Sequence, residues 1–276
     1  MNGILLALLG TLFTFAVTTL GASGIFFVRN EISSRTQCGF LGFAAGVMVA
    51  ASIWSLLIPG IEYAEENGQI GWLVMTLGFT AGVITLLVTD SFIRKWYTKK
   101  RERKIPLGKA SVMLTAAITM HNIPEGMSVG LAFALAAQNP AEPALLMGAV
   151  ALAVGIAIQN FPEGTAVALP LVKDGMNKRT AFFIASMTAF VEPVFGVVSA
   201  LFAEFASSSI SLLLAFAAGT MIYVVVEELI PEAHAYQNLQ NQQPSENQPP
   251  ETDNKSGTLG FVVGFLIMMI LDVTLG

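Results

Sequence analysis

Two copies of one short polar motif stand inside apolar stretches of this sequence. The first copy reads HNIPEG and begins at His121, and the second reads QNFPEG and begins at Gln159. Residues four apart share one face of a helix, so His121 lies beside Glu125, and Gln159 lies beside Glu163. Each motif therefore presents a carboxylate next to an imidazole or amide group, and such groups can bind a metal ion.

The other members of each motif supply further ligands at the same depth. Asn122 and Asn160 follow the first residue of each copy and contribute amide groups. The proline in each copy cannot donate the usual helical hydrogen bond, so one backbone carbonyl per motif is freed. The glycine that ends each copy allows a close approach of another helix.

Three carboxylates lie well inside apolar runs: Glu125, Glu163 and Glu192. A carboxylate at the centre of a membrane helix costs a few kcal/mol. The three runs hold no Lys or Arg, so the acids require a cation. Imidazole with carboxylate suits zinc and neighbouring dications, whereas calcium or magnesium would not need His121. Met48, in another apolar run, could add a soft ligand, although packing is the commoner role of a lone methionine.

The composition is that of a membrane protein. Of 276 residues, 54% are hydrophobic and 12% are charged, whereas a soluble domain carries about a quarter charged residues. Eight apolar runs are long enough to cross a bilayer and are predicted to be helices. Their bounds are 2–28, 39–61, 70–93, 110–137, 143–172, 180–204, 208–231 and 257–275.

Positive charges are sorted by connection. Of the 14 Lys and Arg residues, two fall in the first connection, eight in the third, three in the fifth and one in the seventh. The positive-inside rule places these connections in the cytoplasm and both termini outside. The basic third connection is read as a topology signal rather than a nucleic-acid site. The chain is predicted to be one domain, 1–276, with a disordered cytoplasmic loop at 236–256.

The two motif copies lie on spans that should run in opposite directions. The same motif on two antiparallel helices predicts a pseudo-twofold axis in the membrane plane, with two half-sites forming one transport site. Two simpler readings remain: protonated acids that hydrogen-bond helices together, or proline kinks without a ligand.

The segments HNIPEGMSVG and QNFPEGTAVALPL resemble the paired signature of the ZIP family of divalent metal transporters, in particular its bacterial GufA-like branch. The resemblance covers the whole chain. It implies a 3+2+3 bundle, in which spans one to three and six to eight form an inverted repeat around spans four and five. The metal site, mononuclear or binuclear, is implied to involve His121, Asn122, Glu125, Gln159, Asn160, Glu163, Glu192 and Met48. Asp90 and Glu228 are implied to line a cytoplasmic exit route.

We therefore expect an all-α carrier in a bacterial inner membrane. It should bring Zn²⁺, or alternatively Cd²⁺, Fe²⁺ or Mn²⁺, into the cytoplasm by the elevator-like motion that the family suggests. No organic cofactor and no nucleic-acid partner are expected, and no nucleotide-binding P-loop motif occurs. The oligomeric state stays open, with a homodimer among the options.

Two rival functions belong to other classes. A membrane metalloenzyme would use a metal-bound water as nucleophile, but the chain has no HExxH motif and only two histidines. A membrane protein that binds metal without transporting it would share the same ligands. Flux into sealed vesicles separates it from a carrier.

Overall fold

The computed structural model describes residues 2–27, 33–99, 109–205, 209–234 and 255–275. All regular elements in these residues are helical. The loop predicted at 236–256 lies outside the described residues except for its last two positions, and most of the basic third connection also lies outside them.

The described residues form eight helical rods, α1 to α8. Four of them change character along their length: α1 ends in a 3₁₀ turn, α2 and α7 each contain a π-helical turn, and α6 is interrupted near its middle. The bounds are Gly3–Ala22 with a 3₁₀ turn Ser23–Phe26 for α1; Ser34–Ala51, the π turn Ser52–Leu57 and Ile58–Glu66 for α2; Gly71–Lys99 for α3; Lys109–Gln138 for α4; Pro143–Lys173 for α5; Lys178–Thr188 and Val191–Phe205 for α6; Ile210–Val224, the π turn Val225–Leu229 and residues 230–234 for α7; and Ser256–Leu275 for α8.

Seven of these rods are long and apolar enough to cross a membrane within the described residues. The remaining rod, α4, has 30 residues but carries the HNIPEG motif, which makes it less apolar. The all-helical membrane architecture is thus confirmed. The eighth crossing and the outside position of both termini stay predictions.

The helices pack in pairs. α2 lies along α8 and α3 along α7, while α1 lies along α5 and α4 along the second part of α6. α4 and α5 pack on each other, and they also reach the other pairs, since α4 contacts α7 and α5 contacts α2 and α8. The two motif helices therefore lie at the centre of the bundle.

Glycines set the closest of these contacts. A Cβ at Gly46 of α2 would lie 2.0 Å from the carbonyl oxygen of Phe261 in α8, and one at Gly82 of α3 would lie 2.2 Å from that of Phe216 in α7. No real side chain fits at such distances, so the backbones approach directly, as membrane helices do at small residues.

Candidate metal site

Three potential ligands converge between the two motif helices. His121 and Glu125 of α4 and Glu163 of α5 each offer one ligand atom, and these three atoms lie within 4.8 Å of one another. His121 and Glu125 are buried, whereas Glu163 is partly exposed. Zinc binds such atoms at about 2.0–2.2 Å, so tetrahedral ligands lie about 3.4 Å apart. The group, which we call the three-ligand group, is close to the size that one small dication needs.

Two amide side chains of α5 point their N–H groups at acids. Gln159 Nε2 donates a hydrogen bond to Glu125 Oε1. Asn160 Nδ2 donates to Glu192 Oε1 at 3.0 Å. Both amides are fully buried. Because the amide is planar, each carbonyl oxygen then faces away from the acid that its nitrogen contacts.

Several buried polar atoms have no hydrogen-bond partner among the described residues. An unpaired buried polar atom is costly, and such atoms commonly mark a place for an ion or a water. They concentrate in the two motifs: Glu125 Oε2, Gln159 Oε1, Asn160 Oδ1, Glu163 Oε1 and both amide atoms of Asn122. Oxygen atoms around one imidazole are a ligand set that suits a first-row dication, so an ion bound here would give these atoms a partner.

Glu192 is oriented differently from the other two acids. The helix is interrupted between Thr188 and Val191, so Glu192 falls in the first turn of the second part of α6. Both of its carboxylate oxygens accept hydrogen bonds, one from Asn160 and one from the Thr14 hydroxyl of α1. Glu192 is not one of the three-ligand group, and direct ligation of a metal by Glu192 stays a prediction.

Glu228 touches the three-ligand group from α7. Its Oε2 lies 3.3 Å from Nδ1 of His121. It belongs to the π turn of α7, and such turns are frequent at functional sites. Metal-binding histidines usually donate their second ring N–H to a carboxylate. Glu228 is therefore placed to orient His121, in addition to the exit role expected from the sequence.

A cavity of about 40 Å³ opens beside the three-ligand group. It is lined by both motif helices, by Gln37 near the start of α2, and by Glu228 and Glu232 near the end of α7. It could hold a few water-sized species. Asp90 is a partly exposed residue of α3 and is not among the described residues that line this cavity, so its exit role stays a prediction.

A second cavity of about 330 Å³ lies at the opposite end of α2 and α4, near the ends of α5 and α8. Asp272 lines it and is 6% exposed. Its Oδ1 accepts a hydrogen bond of 2.7 Å from the Ser55 hydroxyl. Met48 is fully buried in the main hydrophobic core, and along α2 it lies between Ala44, which lines the first cavity, and Trp54, which lines the second. Its role as a soft ligand stays a prediction.

Three polar residues at these places were not predicted from the sequence: Thr14, Glu232 and Asp272. Glu228 and Glu232 are four residues apart, so the helical period of the EELIPE segment could have revealed the second acid. Asp272 stands near the end of its apolar run, where acids are usually solvated. Thr14 belongs to no motif, and its contact with Glu192 depends on tertiary packing alone.

This chain is similar to known proteins over a region that includes both motifs. A family model described as "ZIP Zinc transporter" matches residues 100–272. The bovine (Bos taurus) protein named zinc transporter ZIP11 is 33% identical over 98% of this chain and 97% of its own length. Zinc transporter GufA of Myxococcus xanthus is 31% identical over 98% of both chains. Zinc transporter ZIPB of Bordetella bronchiseptica is 34% identical over 98% of this chain and 81% of its own.

Proposed function

This chain belongs to the ZIP family of zinc transporters, as its paired motif predicted, and we propose that it carries Zn²⁺ across a bacterial inner membrane into the cytoplasm. One observation carries the proposal: His121, Glu125 and Glu163 bring their ligand atoms within 4.8 Å of one another at the centre of the helix bundle. An intramembrane group of this kind marks an ion pathway.

The ligand roles follow from the contacts. Nδ1 of His121 faces Glu228 at 3.3 Å, which leaves Nε2 as the metal-binding nitrogen. Glu125 and Glu163 each supply a carboxylate oxygen. The unpaired carbonyl oxygens of Gln159 and Asn160 are further ligands. A mixed nitrogen and oxygen set accepts zinc, and it also accepts Cd²⁺, Fe²⁺ and Mn²⁺ to degrees that geometry decides.

The direction of access follows from the cavity. The cavity beside the three-ligand group reaches Gln37 near the start of α2, and Arg35 lies two residues before it. By the positive-inside rule this end faces the cytoplasm. The larger cavity at the other end would then face outside, and the packed core around Met48 would separate the two. The described conformation is thus one that delivers the ion inward.

The helix pairs support an inverted repeat. Exchanging α1, α2 and α3 for α6, α7 and α8, and α4 for α5, converts the α2–α8 pair into the α7–α3 pair. The same exchange converts the α1–α5 pair into the α6–α4 pair, and the π turn of α2 corresponds to that of α7. We propose that α1, α4, α5 and α6 move as one group against α2, α3, α7 and α8, as an elevator would.

The rival functions differ in what supports them. The ZIP relatives are named as transporters rather than enzymes, so the metalloenzyme reading is set aside. A protein that binds metal without transport would have the same three-ligand group. One cavity beside this group and a second cavity at the opposite end of α2 and α4 are what favour transport over binding alone.

The test is zinc uptake by the purified protein in sealed liposomes that contain a zinc-responsive dye. Glu163→Gln removes one anionic ligand without changing the shape of the side chain. Uptake should fall by more than the roughly 10- to 100-fold that loss of an outer partner of a metal ligand typically costs. Glu66→Gln, an exposed residue at the other end of α2, is the matched control and should transport normally. Wild-type rates for Glu163→Gln, or zinc binding by the wild type without uptake, would overturn the proposal.

A further inference from the structure

We propose that Thr14 of α1 is a positioning residue for the metal site, because its hydroxyl fixes Glu192 and, through Glu192, the orientation of Asn160. The inference rests on the proposed function, since it concerns how the same site binds its ion. α1 carries no acid and no motif, yet the structure brings one of its side chains to the acid that α6 contributes.

The contact between α1 and α6 is a buried hydrogen bond between side chains. The Thr14 hydroxyl donates to Glu192 Oε2, and both residues are fully buried. The hydroxyl has one hydrogen and lies near a second acceptor, the carbonyl oxygen of Thr11 at 2.9 Å. A carboxylate is the stronger acceptor, since hydrogen bonds to ionised groups are roughly twice as strong as neutral ones. Thr14 therefore holds one oxygen of Glu192 in place.

The second oxygen of Glu192 decides which way Asn160 faces. Asn160 Nδ2 donates to Glu192 Oε1 at 3.0 Å. The opposite edge of the same amide is its oxygen, Oδ1, which is buried and has no partner among the described residues. Asparagine ligates metals through this oxygen and not through its nitrogen. Glu192 thus turns the ligating atom of Asn160 away from itself, and Thr14 keeps Glu192 where it can do so.

The backbones around Glu192 leave it little freedom to find another position. A Cβ at Gly126 of α4 would lie 2.5 Å from the carbonyl oxygen of Glu192, and one at Gly196 of α6 would lie 2.5 Å from Cγ2 of Thr11. Hence α6 packs directly on both α4 and α1. With the backbone fixed in this way, the position of the carboxylate depends on its two hydrogen-bond donors.

α1 supplies matched controls for a purely structural role. Thr11 and Thr18 lie three and four residues away from Thr14 and are equally buried. Their hydroxyls donate to carbonyl oxygens of α1 itself: Thr11 to Ala7 at 2.7 Å, and Thr18 to Thr14 at 3.1 Å. Replacing Thr18 by valine removes a buried hydroxyl from the same helix without touching Glu192.

The experiment is zinc titration by calorimetry on the purified, metal-free protein, with thermal unfolding as a check of the fold. Thr14→Val should weaken zinc binding about tenfold, within the range that contacting residues show when their interaction is removed. Thr14→Ser keeps the hydroxyl and should restore wild-type affinity. Thr18→Val should bind as the wild type does. Should Thr14→Val not fold, Thr14→Ala carries the same comparison.

A double-mutant cycle separates positioning from general packing. In a Glu192→Gln background, Thr14→Val should cause little further loss of zinc affinity, because the group on which it acts has already changed. A full loss in that background, an equal loss for Thr18→Val, or wild-type affinity for Thr14→Val would each overturn the inference. Absence of zinc binding by the wild type would instead overturn the proposed function, so the two failures are distinguishable.

Discussion

Replacing Asn160 by aspartate tests the arrangement of the site most directly. The change keeps the shape of the side chain but puts an anionic oxygen where Nδ2 now donates to Glu192 at 3.0 Å. Two unit charges at that distance repel by about 5.5 kcal/mol when the effective dielectric constant is about 20. Since whole proteins are stable by only about 5–15 kcal/mol, the metal-free variant should lose much of its stability or take up a proton.

Zinc should reverse this penalty. An ion between the introduced carboxylate and Glu192 would neutralise the repulsion. At 4 Å, the added negative charge attracts each unit of positive charge on the ion by about 4 kcal/mol. Part of this attraction is offset by protonation of the metal-free variant, so we expect zinc affinity to rise at least about tenfold rather than by the full amount. The gain should shrink as pH falls, because a proton shared by the two carboxylates relieves the repulsion without metal. Turnover should fall, since a pathway requires binding weak enough to permit release.

The measurements are the melting temperature with and without zinc, zinc calorimetry at two pH values and liposome flux. Asn160→Ala is the control, because it removes the donor without adding charge. Asn160→Asp should melt well below Asn160→Ala without metal and recover with zinc. Equal melting temperatures and equal zinc affinities for the two variants would refute the reasoning, because they would mean that residue 160 faces neither Glu192 nor the ion.

Two further predictions concern topology and the exit route. Cys38 is 1% exposed and a poor target for labelling, so it is replaced by alanine. An impermeant maleimide should then label Glu66→Cys in intact spheroplasts, but Asp174→Cys only after lysis. The reverse pattern would contradict the orientation. Glu228→Gln should slow uptake less than loss of a member of the three-ligand group, since Glu228 contacts that group's histidine and is not itself a member. The exposed neighbour Glu227→Gln should transport normally, and identical rates for the two variants would remove Glu228 from the pathway.

Local periodicity explains what could be predicted from the sequence. His121 and Glu125 are four residues apart on a helix, so their proximity follows from helix geometry alone. Predicting that Glu163 lies beside them required a second inference, namely that two copies of one motif on consecutive spans meet at similar depth. The structure brings these three residues together. The all-helical architecture followed from composition and from the lengths of the apolar runs.

Contacts between helices distant in sequence could not be predicted in this way. Thr14 and Glu192 are separated by 178 residues, and nothing in α1 distinguishes Thr14 from Thr11 or Thr18. Asp272 meets Ser55 across 217 residues. The helices that carry these pairs pack closely at glycines elsewhere along their length, and the positions of glycines along the chain do not reveal which helix each one faces.

In the proposed inverted repeat, the position of Glu192 in α6 has a counterpart in α1. Gly164 of α5 packs on α1, where an added Cβ would lie 2.1 Å from the carbonyl oxygen of Thr18. Gly126 of α4 packs on α6, where an added Cβ would lie 2.5 Å from the carbonyl oxygen of Glu192. The two glycines occupy equivalent places in the two motifs, so Thr18 and Glu192 are equivalent in the repeat. One half thus supplies a carboxylate where the other supplies only hydroxyl groups. An unpartnered buried carboxylate is costly, and Thr14, from the half of the repeat that contains α1, donates a hydrogen bond to Glu192 in the other half. The repeated backbone thus yields a site whose two sides differ in charge.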